Sequence, residues 1–122
     1  MAMQKKEVVQ SSICAKHLMG IADTMELLSG KWKIKIIATL MQKGKLRFMD
    51  LLREVDGIAA KMLSKELQEL ELNELVSRTV CDTKPITVEY EITDHGLTLQ
   101  KTVDEIASWG IAHRKRLFKK EK

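Results

Sequence analysis

The chain has little of what extracellular, membrane-spanning or metal-bound proteins carry. Its two cysteines, Cys14 and Cys81, are too few for a disulfide framework and form no CxxC pair, so a reducing cytoplasm is expected. No apolar run approaches the roughly 20 residues of a membrane span. The N-terminal stretch MAMQKKEVVQSS lacks the apolar centre of a signal peptide. A single proline and a hydrophobic fraction of 44% leave disorder only for the ends. The three histidines, His17, His95 and His113, show no metal-ligand spacing. There is no glycine-rich phosphate loop and no nucleophile–base pair. An enzyme is therefore not expected, and neither metal nor cofactor is implied.

At 122 residues there is room for one domain with a modest core. We expect a loose N-terminal segment over residues 1–15 and a single domain over 16–122 with a basic C-terminal tail. The net charge of +4 is concentrated in that tail: His113–Lys122 carries six Lys/Arg and one Glu, which leaves the remainder at −1. Inside the domain, residues 31–53 hold seven cations (Lys31, Lys33, Lys35, Lys43, Lys45, Arg47 and Arg53) against Asp50 alone. A local basic surface is what phosphate binding needs; a solvated lysine-rich helix face is the plainer alternative.

Hydrophobic periodicity divides the chain into helices. The first spans about Lys16–Leu28, with Ile21, Met25 and Leu28 on one side, and Ser29-Gly30 breaks it. The second covers Lys31–Gln42, where Trp32, Ile36 and Leu40 recur beside Ile37; Lys33 and Lys35 should point elsewhere, and Gly44 ends it. Phe48, Leu51, Leu52 and Val55 place a short amphipathic helix over Arg47–Val55. After the Asp56-Gly57 turn, a further helix runs over about Ala59–Leu72. Two short helices joined by a tight glycine turn form a helix-turn-helix.

On the Ala59–Leu72 helix, Leu63, Leu67 and Leu70 share one face. At about 100° per residue, Lys61, Lys65 and Gln68 fall nearly opposite, with Ser64 beside them. Glu66, Glu69 and Glu71 should lie on the flanks. An ordinary surface helix shows the same division, so the segment after the helix carries the distinction. Val76–Asp82 and Ile86–Ile92 are β-branched and alternate in polarity around the turn Thr83-Lys84-Pro85. A ribbon directly after a helix-turn-helix is a wing. Arg78 sits at its base and Lys84 at its tip, where a cation meets phosphate or enters the minor groove. Thr93 should N-cap a last helix over about Asp94–Arg116. The stripe Leu99, Val103, Ile106 and Gly110 on that helix, edged by Trp109 and Ile111, needs a partner: a second subunit, the chain's own first helix, or both. The fold class is mainly α with a small β-ribbon.

Several short segments share one order and spacing: Ser-Gly-Lys-Trp at 29–32, Gly-Lys-Leu-Arg-Phe at 44–48, Gly-Ile at 57–58, Lys-Met-Leu-Ser at 61–64, Leu-Gln-Glu-Leu-Glu at 67–71, Leu-Val-Ser-Arg at 75–78, and Pro85 with Val88-Glu89-Tyr90. Thr93, Gly96 and Trp109-Gly110 complete the set. In these the chain resembles the HxlR-type regulators, a dimeric winged helix-turn-helix branch close to the MarR-like proteins, from about Leu28 to Gly110. The resemblance implies a sequence-specific DNA-binding transcriptional regulator, a repressor. It implies a homodimer built by the N- and C-terminal helices, on double-stranded DNA with a palindromic operator. The recognition helices, about residues 59–72, would enter successive major grooves about 34–36 Å apart. The wing, residues 76–92, would lie on backbone or minor groove. Carried over by position, the DNA-binding residues are Lys45, Arg47, Lys61, Met62, Ser64, Lys65, Gln68, Arg78 and Lys84. Arg47 has a structural alternative, since it precedes the core residue Phe48.

Three departures from the family pattern stand out. Ala59 stands where Ser or Thr usually caps the recognition helix, a loss of about 1 kcal/mol. Glu74 stands where Gly is usual at that helix's exit, and Asn73 is expected to supply the left-handed residue instead. Many relatives carry a Cys-Pro pair close before the first helix; here the aligned place is near Met19, and Cys14 lies about five residues earlier, followed by Ala15. Cys14 is a candidate redox sensor, with Lys16 and His17 near in sequence to lower its pKa, or else an idle thiol. Cys81 lies in a wing strand and reads as structural or incidental. A small-molecule or oxidant effector is the partner such a sensor would answer to. A different class stays open as well: a winged-helix protein–protein module that no longer binds DNA.

Overall fold

The computed structural model describes residues 14–120. The chain divides after Gly30 into two compact units. The first holds helix α1 (Ala15–Leu27), on which Leu18, Met19, Ile21 and Met25 are all exposed. The expected loose segment, residues 1–15, lies outside the described residues except for Cys14 and Ala15, which open this helix.

The second unit runs α2 (Lys33–Lys43), β1 (Leu46–Arg47), α3 (Phe48–Glu54), α4 (Ala60–Leu72), β2 (Val76–Cys81), β3 (Thr87–Ile92), α5 (Asp94–Leu97) and α6 (Gln100–Lys120). Its core follows the predicted stripes. Ile36, Ile37 and Leu40 of α2, Leu51 of α3, and Leu63, Leu67 and Leu70 of α4 are at most 2% exposed. Burying a leucine or isoleucine in this way contributes about 1.5–3 kcal/mol, so this cluster sets how α2, α3 and α4 pack. Tyr90 from β3 and Val103 from α6 are buried as well.

The wing forms as expected, but it is not a two-stranded ribbon. Leu46 and Arg47 pair antiparallel with Tyr90 and Glu89, which gives a three-stranded sheet in the order β1-β3-β2. Two residues are too few to show an alternation, and the apolar stripe starting at Phe48 drew Arg47 into the predicted helix. The pairing ties the start of the helix-turn-helix to the wing.

The predicted last helix is interrupted. Thr93 caps α5 as expected, accepting from the Gly96 N–H at 2.9 Å. The chain then tightens: Thr98 N–H donates to His95 O at 3.1 Å and Leu99 N–H to Gly96 O at 3.0 Å, three residues back instead of four. The Thr98 hydroxyl also donates to His95 O at 2.5 Å, a side-chain bond that competes with the helical ladder. Helix α6 resumes at Gln100 and continues to Lys120, so His113–Lys120 is the last part of a helix and not a tail.

Candidate nucleic-acid interface

The α3–α4 turn is made by Gly57 at φ 87°, a left-handed backbone that other residues adopt only at a cost. Past it, α4 begins at Ala60, and Ala59 takes the N-cap position with no side-chain bond to the helix. The loss expected from Ala59 is therefore present. At the other end a correction is needed. Asn73 has φ −91°, and Glu74 itself is left-handed at φ 61°. The reason is the Schellman closure around it: Leu75 N–H donates to Leu70 O at 3.0 Å and Glu74 N–H to Glu71 O at 2.9 Å. That bond pair needs its left-handed residue at the position of Glu74.

Between these ends, α4 is divided as the periodicity predicts. Leu63, Leu67 and Leu70 face the core, while Lys61, Met62, Ser64, Lys65 and Gln68 are exposed. Glu66 departs from expectation. It is on the buried side, 7% exposed, because the Lys33 ammonium meets it there. Lys33, predicted to point away from the apolar stripe of α2, is 5% exposed and bonds both Glu66 and Glu69. Burial pulls the Lys33 pKa down, but the hydrogen bonds and charges of the two carboxylates outweigh it and hold the ammonium above its ordinary range. Glu69 is held below the usual carboxylate range, chiefly by its hydrogen bond from Lys33 and then by the charge of Lys33, with a smaller contribution from Lys65 one turn earlier.

This pairing also revises the basic stretch 31–53. Lys33 is consumed inside. Lys31 and Lys35 lie over the Trp32 ring at 4.8 and 5.2 Å from its centre. Arg53 pairs with Asp50, and Lys43 faces Glu54 at 4.0 Å. Among the described residues, Lys45 and Arg47 are the two cations of the stretch that are exposed and without such a partner.

The sheet separates two other candidates. Residues directly opposite in an antiparallel pair share a face. Arg78 is opposite Tyr90 and Arg47 opposite Glu89, so the register puts the two arginines on opposite faces of the sheet. Arg47 does share a groove of about 520 Å³ with Ser64 of α4 and with Ile86, Val88 and Tyr90 of the wing. That groove joins α4, the start of α3 and the wing. Lys84 is exposed at the wing tip, which the Thr83 hydroxyl closes by donating to Pro85 O at 2.8 Å. The nine candidates are thus spread over α4, the surroundings of β1 and the wing, and all nine are exposed.

Lys33 and Glu66 were missed from sequence, although the signal was there. Lys33 stands at i to Ile36, Ile37 and Leu40 at i+3, i+4 and i+7, and Glu66 sits within the leucine seam. A charge of each sign on an apolar stripe marks a buried pair.

Cys14 is exposed, at the N-cap of α1. Its thiol pKa is lowered, but the cause is the backbone N–H groups of His17 and then Lys16 at the helix start, not the side-chain charges expected. Cys81 is a half-buried strand residue opposite Thr87. No helix among the described residues is long and apolar enough to cross a membrane.

Comparison with known proteins agrees with this geometry. The model of a family described as HxlR-like helix-turn-helix matches residues 27–118. The HTH-type transcriptional regulator YtcD of Bacillus subtilis (strain 168) is 35% identical over 103 residues, covering 84% of this chain and 81% of that protein. The HTH-type transcriptional regulator YodB of the same organism is 34% identical over 99 residues, 81% of this chain and 84% of its own. The structure of the redox regulator HypR in its reduced form superposes with a TM-score of 0.75 at 33% identity, covering 82% of this chain and 98% of that one.

Proposed function

The chain belongs to the HxlR-like helix-turn-helix family of transcriptional regulators, and from that premise we propose that it is a repressor that binds a palindromic operator as a homodimer. Helix α4 enters the major groove, and the β2–β3 wing rests on the backbone or in the minor groove. The observation that carries this reading is the outer face of α4: Lys61, Ser64, Lys65 and Gln68 are exposed, while Glu66 is buried on the other side. Exposed donors of this kind suit both phosphate and base edges. The dimer rests on the uncovered apolar residues of α1 (Leu18, Ile21, Met25) and of α6 (Ile106, Trp109, Leu117). Such patches on a small soluble chain mark an interface.

The test is a gel-shift series at several salt concentrations. Lys65→Ala weakens operator binding, and Lys84→Ala weakens all duplexes alike and lowers the salt slope by about 1 per lost phosphate contact. Unchanged affinity in both variants would rule out this face and favour a protein–protein module.

A second reading adds thiol chemistry. It is supported by the exposed, pKa-lowered Cys14 and by the likeness to a redox regulator. Cys14→Ser protein that still loses DNA binding on mild oxidation would remove it.

A further inference from the structure

Two helices of this unit carry a charge on their apolar stripe, and the two charges meet. Lys33 comes from α2, and Glu66 and Glu69 come from α4, both bonded to the one ammonium. Glu66 is buried, and for it Lys33 is the required counter-charge. Glu69 is different: its side chain is 42% exposed, so solvation alone would satisfy it. It also sits four residues after Lys65, and side chains at that spacing on a helix are neighbours. Glu69 therefore has two cations within reach and is held by the inner one.

We propose that Lys33 is a positioning residue for DNA binding: by holding Glu69 toward α2, it keeps that carboxylate off Lys65 and leaves the Lys65 ammonium free for a phosphate. This deepens the reading of α4 as the DNA-facing helix and rests on it. Without Lys33, the Glu69 carboxylate turns to Lys65, with two effects. The cation is neutralised, and a negative charge is added beside the phosphate path. Both reduce the number of counterions displaced from DNA.

The test uses the full chain and a fluorescein-labelled duplex of mixed sequence, so no operator is needed, and affinity is read by anisotropy over a series of salt concentrations. Lys33→Met/Glu66→Leu replaces the buried pair with apolar side chains of similar size and keeps the fold. It should bind several-fold more weakly than wild type, with a salt slope smaller by up to about 1 per protomer. Adding Glu69→Gln should restore affinity and slope while leaving the melting temperature where it was. A well-folded double variant with wild-type affinity, or no rescue by Glu69→Gln, overturns the proposal. Glu69→Gln in the otherwise intact chain is the folding-safe variant. It should change affinity less than twofold, because Lys33 already holds Glu69, and a several-fold gain overturns the idea.

A readout without DNA separates this proposal from the function it rests on. The Glu69 carboxyl is titrated by NMR with and without Lys65→Ala. Removing Lys65 should move the Glu69 midpoint little in wild type and clearly in Lys33→Met/Glu66→Leu. Equal movement in both backgrounds refutes sequestration, whether or not the wild-type protein binds the duplex.

Discussion

Gly96→Ala should be among the most damaging single-methyl changes in this chain. Gly96 is buried in α5, and a Cβ built on it would lie 2.3 Å from the Leu75 carbonyl oxygen and 3.1 Å from Ile92 Cγ2. The first contact is with backbone, so no side-chain rotation relieves it. That carbonyl also accepts the Thr93 N–H at 3.1 Å, and next to it the Thr93 hydroxyl donates to Glu74 O at 2.6 Å. Moving α5 away to admit the methyl therefore loosens the seam between the exit of α4 and the entry of α6. Overpacking of a tight site costs about 1–3 kcal/mol. One or two weakened hydrogen bonds add about 1 kcal/mol each. The intrinsic helix gain of Ala over Gly returns about 0.5–1 kcal/mol. The net is a loss of about 1–4 kcal/mol, or roughly 10 °C in melting temperature at the middle of that range for a chain of this size. Thermal unfolding followed by circular dichroism at fixed protomer concentration measures it. Gly20→Ala is the control: in α1 the added Cβ meets nothing within 4 Å, so the same substitution should raise stability by up to about 1 kcal/mol. An unchanged or higher melting temperature for Gly96→Ala would refute the close approach.

The ends of α4 and its charge network give three further expected outcomes. Ala59→Ser gives α4 the cap it lacks, and urea unfolding should show a gain of about 1 kcal/mol, slightly less for Ala59→Gly. Glu74→Gly relieves the left-handed backbone at φ 61° and should stabilise by about 1 kcal/mol in the same assay. The Lys33 network makes stability depend on pH at both extremes. Glu69 is depressed, so its contribution holds above the ordinary glutamate range and is lost as pH falls through the lowered pKa. Lys33 is raised, so its contribution holds below the ordinary lysine range and is lost as pH rises through the raised pKa. Unfolding free energy from this network is thus flat at neutral pH, and Glu69→Gln should flatten the acid side; an acid limb as steep as wild type would contradict the pairing.

Much of this architecture was legible in the chain. The leucine seam of α4, the Thr93 cap, the glycine turn at Gly57 and the two long wing strands all come from local rules: a period of 3.6 or 2, a capping hydroxyl, a left-handed backbone. The exposed row Lys61, Lys65 and Gln68 comes from the same helical spacing. Such rules relate residues a few positions apart, and they succeed where the structure needs nothing more.

What remained hidden depends on residues far apart in sequence. Lys33 and Glu66 are 33 positions apart, and although each lies on an apolar stripe, nothing local shows that the two stripes meet. Only packing α2 against α4 gives them one buried site, and desolvation then forces them together. The strand Leu46–Arg47 exists because β3 offers it a free edge, not because two residues carry a pattern. Glu74 takes the left-handed position because the hydrogen bonds of Leu75 and Glu74 place it there, against the preference of its own side chain. The sequence by itself determined which face of each helix is apolar. Tertiary structure decided which charges stay exposed and which are used to hold α4 in place, because that choice rests on contacts between elements and local periodicity carries no record of them.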